Sequence, residues 1–362
     1  MNKKRYGISV VTYTYNDHEL VADLLASIGR WDFSPREILV VDDGTPEPFV
    51  APEAPAGVRV LRLAANRGPA GAKIAGLSAA TGRFLLSLDA DIRLPPDWAT
   101  RCLPLAARPE VGLVATPIVN EAGTGLLADY QRLRFSLQVA VPEQPKVMPA
   151  GLWLLRREVW ERHGFVDYPD RLHEDVYFSE ILRRAGLRLH VAAEPVARQV
   201  RRLSRRTMVR RGWTWQGREY LAAAATDGIG ALNAFLLAMR RRIGRHQAVD
   251  PRFLYYDVLS LGFALDALLG AAGHPPTLRG ALVTRLAALF PAPGPRDLFL
   301  ADMAGLGCPP GPPLEYPLLD DLTRAVRSLL PAGSDAALGA ALPDLRQEDQ
   351  RRDWHFSFYN QE

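Results

Sequence analysis

The chain has 362 residues, 48% hydrophobic and 23% charged, with a formal net charge of +4. That composition excludes a chain too polar to fold, and the length allows one large domain or, more typically, two. Cys102 and Cys308 lie far apart without metal-ligand spacing, which excludes a disulfide scaffold and a cysteine zinc site, while the basic excess favours anionic partners without choosing among them.

In chain order, "MNKKRYGISVVTYTYND" starts basic but turns polar after a few apolar residues, so no signal-peptide core follows and a cytoplasmic protein is expected. "GISVVTYT" (7–14) reads as a β-branched strand. "NDHELVADLLASIGR" then sets Leu20, Leu24 and Ile28 on one helical face with Val21 and Leu25 beside them, and Asn16 with Glu19 resembles a helix-start pair. Strands follow at 37–44 and 58–66, a small-residue helix at 68–82, and strands at 83–91 ("RFLLSLDAD") and 112–119. Continuously apolar strands alternating with helices predict an α/β fold whose mostly parallel sheet is covered on both faces. Ligands in such sheets sit beyond the carboxyl ends of the strands, where Thr12 to Asp17, Asp42 with Asp43, and Asp89 with Asp91 would crowd one rim.

From 142 to 190 the pattern is less regular, with a helix expected just after Glu174 and Asp175; residues 198–211 then hold seven arginines. Beyond Trp215 the chain is rich in alanine and leucine at helical spacing, broken by "HPPT", "PAPGP" and "CPPGPP". The expected division is a catalytic domain over 1–215 and a mainly helical region over 216–362, serving packing, an oligomer interface or a membrane surface. The apolar stretch from Phe253 is interrupted by Asp257 and Asp266, which are costly at membrane depth, so a buried or interface helix is expected. "LNAFLLAMRRRIGR" (232–245) has two readings, a packed helix with cations at its C-terminus or a basic helix lying on an anionic membrane.

Asp89 and Asp91 repel each other unless a cation sits near, and a divalent metal is the usual resolution. Oxygen ligands suit Mg²⁺ or Mn²⁺, commonly shared with substrate phosphates, so the pair points to a phosphorylated ligand; a bare D-x-D is otherwise a polar strand end. Asp42 and Asp43 precede Gly44-Thr45-Pro46, a turn expected to leave at least one carboxylate exposed for a base or ribose. "NRGPAGAK" opens a helix whose N-terminal amides, with Arg67 and Lys73, suit a phosphate. Neither a Walker loop nor a G-x-G-x-x-G fingerprint is present.

The series "YTYND", "VDDGT", "NRGPAGAKIAGLSAATG", "LDADIRLPPDW", "PAGLWLLRREVWERHGFVD" and "HEDVYFSEILRRAG", in that order over about residues 7 to 190, resembles glycosyltransferase family 2, of the GT-A (Rossmann-like) fold. The resemblance implies an inverting transfer of a sugar from a nucleotide-diphosphate donor, UDP-sugar by family habit, with Mn²⁺ or Mg²⁺ held by Asp91 directly and by Asp89. It implies a donor site of Thr12, Tyr15, Asn16, Asp43, Asn66, Arg67, Gly68, Lys73, Asp89, Ala90 and Asp91. Gly151 and Trp153 would line the sugar and acceptor side, with Arg206 and Trp215 from the arginine-rich stretch also binding substrate as part of a clamp over the diphosphate. Asp175, or after it Glu174, would be the general base, although acidic residues also favour a helix's first turn for electrostatic reasons alone. The family's further metal-ligand histidine has no counterpart where Arg198 and Gln199 stand; His190 is nearby, a strand-end histidine of the kind more often structural than ligating. The acceptor would be a carbohydrate or a lipid-linked molecule, the latter drawing the chain to the inner face of the membrane; nucleic acid is not an expected partner, and a homo-oligomer is compatible with the apolar helices. The alternatives are a sugar-phosphate nucleotidyltransferase, which lacks support because "TYTYND" stands where a Gly-rich basic loop would, and a non-catalytic nucleotide-sugar-binding protein.

Overall fold

The computed structural model describes residues 4–53, 57–121, 123–135, 145–148, 150–169 and 173–348. The elements run β1 (Lys4–Arg5), β2 (Ile8–Thr14), α1 (His18–Ile28), β3 (Phe33–Ser34), β4 (Glu37–Asp42), β5 (Val58–Arg62), α2 (Gly68–Ala79), β6 (Phe84–Leu88), β7 (Ile92–Arg93), α3 (Trp98–Ala106), β8 (Val111–Ala115), β9 (Ile118–Asn120), α4 (Leu126–Phe135), β10 (Leu152–Arg156), α5 (Arg157–His163), α6 (Glu174–Arg184), β11 (Arg188–Val191) and β12 (Ala197–Gln199). The helices α7 (Arg205–Ala224), α8 (Gly228–Gln247), α9 (Leu254–Ala271), α10 (Pro276–Ala287), α11 (Pro293–Gly305), α12 (Pro317–Leu329) and α13 (Ser334–Glu348) follow.

The described residues form two compact units, one of those up to 121 with those of 134–201, the other of 123–133 with 202–348. Position 215, the boundary expected from composition, lies inside α7. The first unit is built on a seven-stranded sheet of order β11-β8-β10-β6-β2-β4-β5, parallel except that β10 runs antiparallel to β6 and β8. Alternate residues of its strands enter two cores. Ile8, Val10, Ile38, Val40, Leu86 and Leu88 pack with α1 and α3, while Val11, Leu39, Leu85, Leu113 and Trp153 pack with Ile74 and Leu77 of α2 and Phe178 of α6. Burial on both faces is why the strand sequences read as unbroken apolar runs.

The stretch 112–119, read as one strand, divides instead into β8 and β9, which belong to different sheets. Pro117 sits at the break, where it has no N–H to give a continuing ladder. A three-stranded sheet, β7-β12-β9, then stands beyond the end of β6. The helix-start pair of Asn16 and Glu19 does not form either: Asp17 is the N-cap residue of α1, without a side-chain capping bond, and Asn16 takes φ 60°.

In the second unit "HPPT" and "PAPGP" supply the first-turn prolines of α10 and α11, whereas "CPPGPP" lies in the connection before α12, which starts on Pro317. Ser204 caps α7 and Asp227 caps α8 through side-chain acceptors. Residues Pro251–Ala271, which include α9, are long and apolar enough to cross a membrane, but 72% of that window is buried inside the protein. Asp257 of this helix is fully buried, accepting from Tyr130 Oη at 2.7 Å and lying 2.9 Å from His246 Nδ1.

Candidate active site

The carboxyl ends of β4, β2 and β6, three neighbouring strands, carry the polar residues singled out above. The turn after β4 is closed on itself. Asp42 accepts from the backbone N–H of Thr45 and of Phe49, both at 2.9 Å, and from Arg62 Nη1 at 2.6 Å. Burial alone would raise its pKa, but these donors hold it below the usual carboxylate range. Asp43 accepts from the N–H of Arg67 at 2.7 Å and of Gly68 at 2.9 Å, and Asn66 Oδ1 accepts from Gly68 N at 3.1 Å. Gly44 has φ 72°, and a Cβ there would stand 2.7 Å from Ala65 C, so only glycine lets the two segments meet.

Both aspartates are fully buried, contrary to the expectation that one would face a base or ribose. The amides at the start of α2, expected to greet a phosphate, are answered by Asp43. For Asp42 the nearby backbone donors of Thr45 and Phe49 win the carboxylate, and for Asp43 the winners are amides 24 and 25 residues further along the chain. Arg67 remains exposed at this rim.

A second group surrounds Lys73. This side chain is fully buried, donating to Ala150 O at 2.7 Å and Glu174 Oε1 at 2.8 Å, and its Nζ lies 3.9 Å from Asp89 Oδ1. The ammonium stands 4.6 Å from the Trp153 ring centroid. Burial would lower its pKa, but the charges of Glu174 and Asp89 hold it above the ordinary lysine value. Asp89 accepts from Tyr13 Oη at 2.5 Å, and burial raises its pKa by more than Lys73 offsets. Tyr13 itself is pushed up by burial and then by Asp89. A Cβ on Gly151 would lie 3.4 Å from Asp89 Oδ2, so this glycine keeps the space over the carboxylate open.

Trp153, expected to line the acceptor side, is only 1% exposed and packs 5.4 Å from the Phe178 ring; it is a floor beneath Lys73, because β10 is an inner strand. Glu174 is buried with Lys73, whereas Asp175 beside it is partly exposed. Burial, and then the neighbouring charge of Glu174, raise the Asp175 carboxyl above its ordinary value. His173, just before, takes φ 68°. Among the described residues, His173 and Asn16 are the non-glycine residues with positive φ, and both flank the acidic groups, as strained backbone often does at working sites.

The third group holds Asp91. Its Oδ2 accepts from Arg201 Nε at 2.6 Å and Gln199 Nε2 at 3.1 Å, and Arg201 Nη1 and Nη2 reach Asp17 Oδ2 at 3.1 and 3.2 Å. Burial works against the Arg201 charge, but Asp17 and Asp91 push its pKa up. Asp91 is 1% exposed. One oxygen of each aspartate is already engaged, Asp91 Oδ2 by Arg201 and Gln199 and Asp89 Oδ1 by Tyr13, which does not fit a metal centre that takes both carboxylates whole. Among the described residues no group of three or more His, Cys, Asp and Glu is placed to hold a metal ion. His190 sits on β11, registered with Val114 of β8.

Of the remaining expected donor residues, Thr12 is fully buried and its Oγ1 has no partner among the described residues, Tyr15 is 5% exposed, Asn16 is exposed and Ala90 is buried. Arg206 and Trp215 belong to the helical unit, where Arg206 Nε donates to Asp302 Oδ1 at 2.8 Å and Arg211 lies 4.9 Å over the exposed Trp215 ring. Residues 136–144 and 149, in the stretch that leads to Gly151, lie outside the described residues. Sequence reasoning named Gln199 only as standing where a histidine was missing, and assigned no role to Tyr13 or Arg201 individually. The signal for Gln199 and Arg201 was their spacing, since i and i+2 on an extended segment share a face.

Residues 9–164 match the sequence model of Glycosyl transferase family 2. The chain is 31% identical over 171 residues to the pre-mycofactocin glycosyltransferase of Mycobacterium tuberculosis (strain CDC 1551 / Oshkosh), covering 44% of this chain and 36% of that protein. It is 34% identical over 112 residues to the undecaprenyl-phosphate 4-deoxy-4-formamido-L-arabinose transferase of Sodalis glossinidius (strain morsitans), covering 28% of this chain and 34% of that protein. The chain thus spans about a third of the length of these curated relatives. A solved structure of a mannosyltransferase from Pyrobaculum calidifontis, in complex with GDP-Man and Mn²⁺, aligns over 96% of this chain and 89% of its own with a TM-score of 0.40 and 19% identity.

Proposed function

We propose that the chain, whose residues 9–164 match the Glycosyl transferase family 2 model, transfers a sugar, with inversion, from a nucleoside-diphosphate donor to an acceptor hydroxyl. The observation that carries this reading is the line of contacts from Asp89 through Lys73 to Glu174, which ties the acidic tip of β6 to the helix start that presents Asp175. UDP-sugar is the favoured donor, on the family resemblance.

In this scheme a bond forms between the acceptor oxygen and the anomeric carbon as the bond to the diphosphate breaks, the electron pair leaving with the diphosphate. The acceptor proton passes to Asp175, whose carboxyl is raised above its ordinary value by burial and by Glu174 and is thereby the stronger base. A single displacement by one base inverts the anomeric centre. Glu174 is a positioning residue: its carboxylate is bound by Lys73 and fixes the first turn of α6. Arg67, exposed where α2 begins, is the cation offered to the diphosphate. Mn²⁺ or Mg²⁺ has no step here, because Asp91 is already held by Arg201.

A lipid-linked acceptor is compatible with α8, whose Arg240, Arg241 and Arg245 are exposed together with Leu237 and Ile229. The two cysteines are free and buried, which supports a cytoplasmic setting.

The test is a panel of nucleotide sugars read by thermal stabilisation, followed by transfer assays on Asp175→Asn. Donor-induced stabilisation retained in the variant, with kcat lower by about 10²–10⁴-fold, is expected. Equal loss of donor binding and transfer would remove Asp175 from its role as base.

A further inference from the structure

The spacing of Asp89 and Asp91 demands a nearby cation, and the structure supplies two, neither of them a metal. Lys73 stands between Asp89 and Glu174, at 3.9 and 2.8 Å. Arg201 stands between Asp91 and Asp17, at 2.6 and 3.1 Å. Each carboxylate of the D-x-D pair therefore has its own basic partner, from a different part of the chain.

We infer that the guanidinium of Arg201 fills the position a divalent cation would take at Asp91, so that the chain binds nucleoside diphosphate without one. Three observations converge on it. Arg201 is a built-in feature: its side chain is 7% exposed and Asp91's 2%. The backbone holds it there, since Val200 N donates to Asp91 O at 2.9 Å and β12 pairs antiparallel with β7, the strand that follows Asp91. Gln199, from the same strand, donates to the same Asp91 oxygen, and Asn120 Nδ2 donates to Gln199 Oε1 at 3.3 Å, which orients the amide as a donor toward the carboxylate.

A donor amide is the wrong polarity for a metal ligand at this point, because a metal requires lone pairs where Gln199 presents N–H. A guanidinium is weakly hydrated and forks between two carboxylates, so it tolerates this burial better than a lysine would. Removing it would leave Asp17 and Asp91 facing each other, and two carboxylates facing each other recruit Mg²⁺ or Mn²⁺. Arg201 acts through Asp91 and is a positioning residue.

The inference rests on the transferase reading only for its nucleotide arm, so the first measurement uses the metal alone. Mn²⁺ is titrated into the full chain and followed by electron paramagnetic resonance. The wild type is expected to show no stoichiometric site, Arg201→Gln to gain one Mn²⁺ at least about tenfold tighter than any wild-type binding, and Arg201→Gln with Asp91→Asn to lose it again. Wild-type binding of one Mn²⁺ that Asp91→Asn abolishes overturns the inference. So does a folded Arg201→Gln variant, by circular dichroism, that stays silent to Mn²⁺. Should that variant fail to fold, Arg201→Lys is expected to fold and remain silent, and the wild-type titration decides by itself.

The second measurement compares thermal stabilisation by UDP and by GDP in EDTA and in Mn²⁺. Apparent affinities agreeing within about twofold are expected, and a shift seen only with Mn²⁺ overturns the inference. No shift with either nucleotide under either condition would count against the proposed transferase, while leaving the claim about Arg201 to the metal titration.

Discussion

Lys73 shows how far a single side chain depends on partners distant in sequence. Its charge was legible, and its place near a helix start suggested a phosphate contact; its burial against Glu174, 101 residues away, was not, because nothing local encodes that pairing. Lys73→Met keeps a chain of similar length over Trp153 but leaves Glu174 buried without its cation. A destabilisation of about 3–5 kcal/mol in urea unfolding is expected, with Lys73→Met plus Glu174→Gln less damaging than Lys73→Met alone. If Lys73→Met is as stable as the wild type, the ion pair is not what holds the start of α6. Asp175 makes the opposite kind of prediction. A carboxyl whose folded pKa is raised contributes stability below its unfolded pKa, lost as pH rises through the folded value, so at neutral pH its ionised form works against folding. Asp175→Asn is therefore expected to melt no lower than the wild type at neutral pH, with any gain vanishing toward about pH 4. In activity, the wild-type rate is expected to fall as pH drops through the raised pKa, and that limb should be missing from the residual rate of the variant. A variant that melts well below the wild type at neutral pH would contradict the burial cost assigned to this group.

At the level of elements, α2 explains why a run of small residues follows the rim. Its buried residues are Gly68, Ala70, Gly71, Ala72, Lys73, Ile74, Gly76 and Leu77, and the helix lies close on the sheet. A Cβ at Gly76 would come within 2.4 Å of Val11 Cγ1 and 2.9 Å of Val41 Cγ2, on β2 and β4. Gly76→Ala gains helix propensity but forces the helix off two inner strands, and the overpacking should dominate. A net loss of about 1–3 kcal/mol, read as a lower urea midpoint at unchanged m-value, is expected; a stabilised variant would mean the valines yield freely. Helix and strand periods made this layer readable in the sequence, since period and continuous apolarity report local geometry and burial on both faces. The break at Pro117 and the closed turn after β4 were not readable, because which donor wins Asp43 depends on where Arg67 and Gly68 arrive in space.

Over the whole molecule, composition separated an α/β part from a helical part, but not where the chain passes between them, since residues 123–133 join the helical unit from within the earlier half of the sequence. The helical unit has its own buried network. Asp302 is fully buried, accepting from Tyr255 Oη at 2.8 Å, from Arg206 Nε at 2.8 Å and from the Nε of Arg205, whose side chain is 3% exposed. It shares no residue with the network around Lys73. Asp302→Ala would leave the buried Arg205 charge to the more distant Glu348, 3.8 Å away, at a cost of up to about 3–5 kcal/mol. If each unit owns its stability, hydrogen exchange should locate the damage: Asp302→Ala should speed exchange in peptides of 205–224, 254–271 and 293–305, and Lys73→Met in peptides of 37–42, 68–79 and 84–88, with little crossover. In the double variant the two patterns should superimpose without amplification. Accelerated exchange in both units from either single change would instead show one cooperative body, and would mean that losing the acidic site and losing the helical network are a single event.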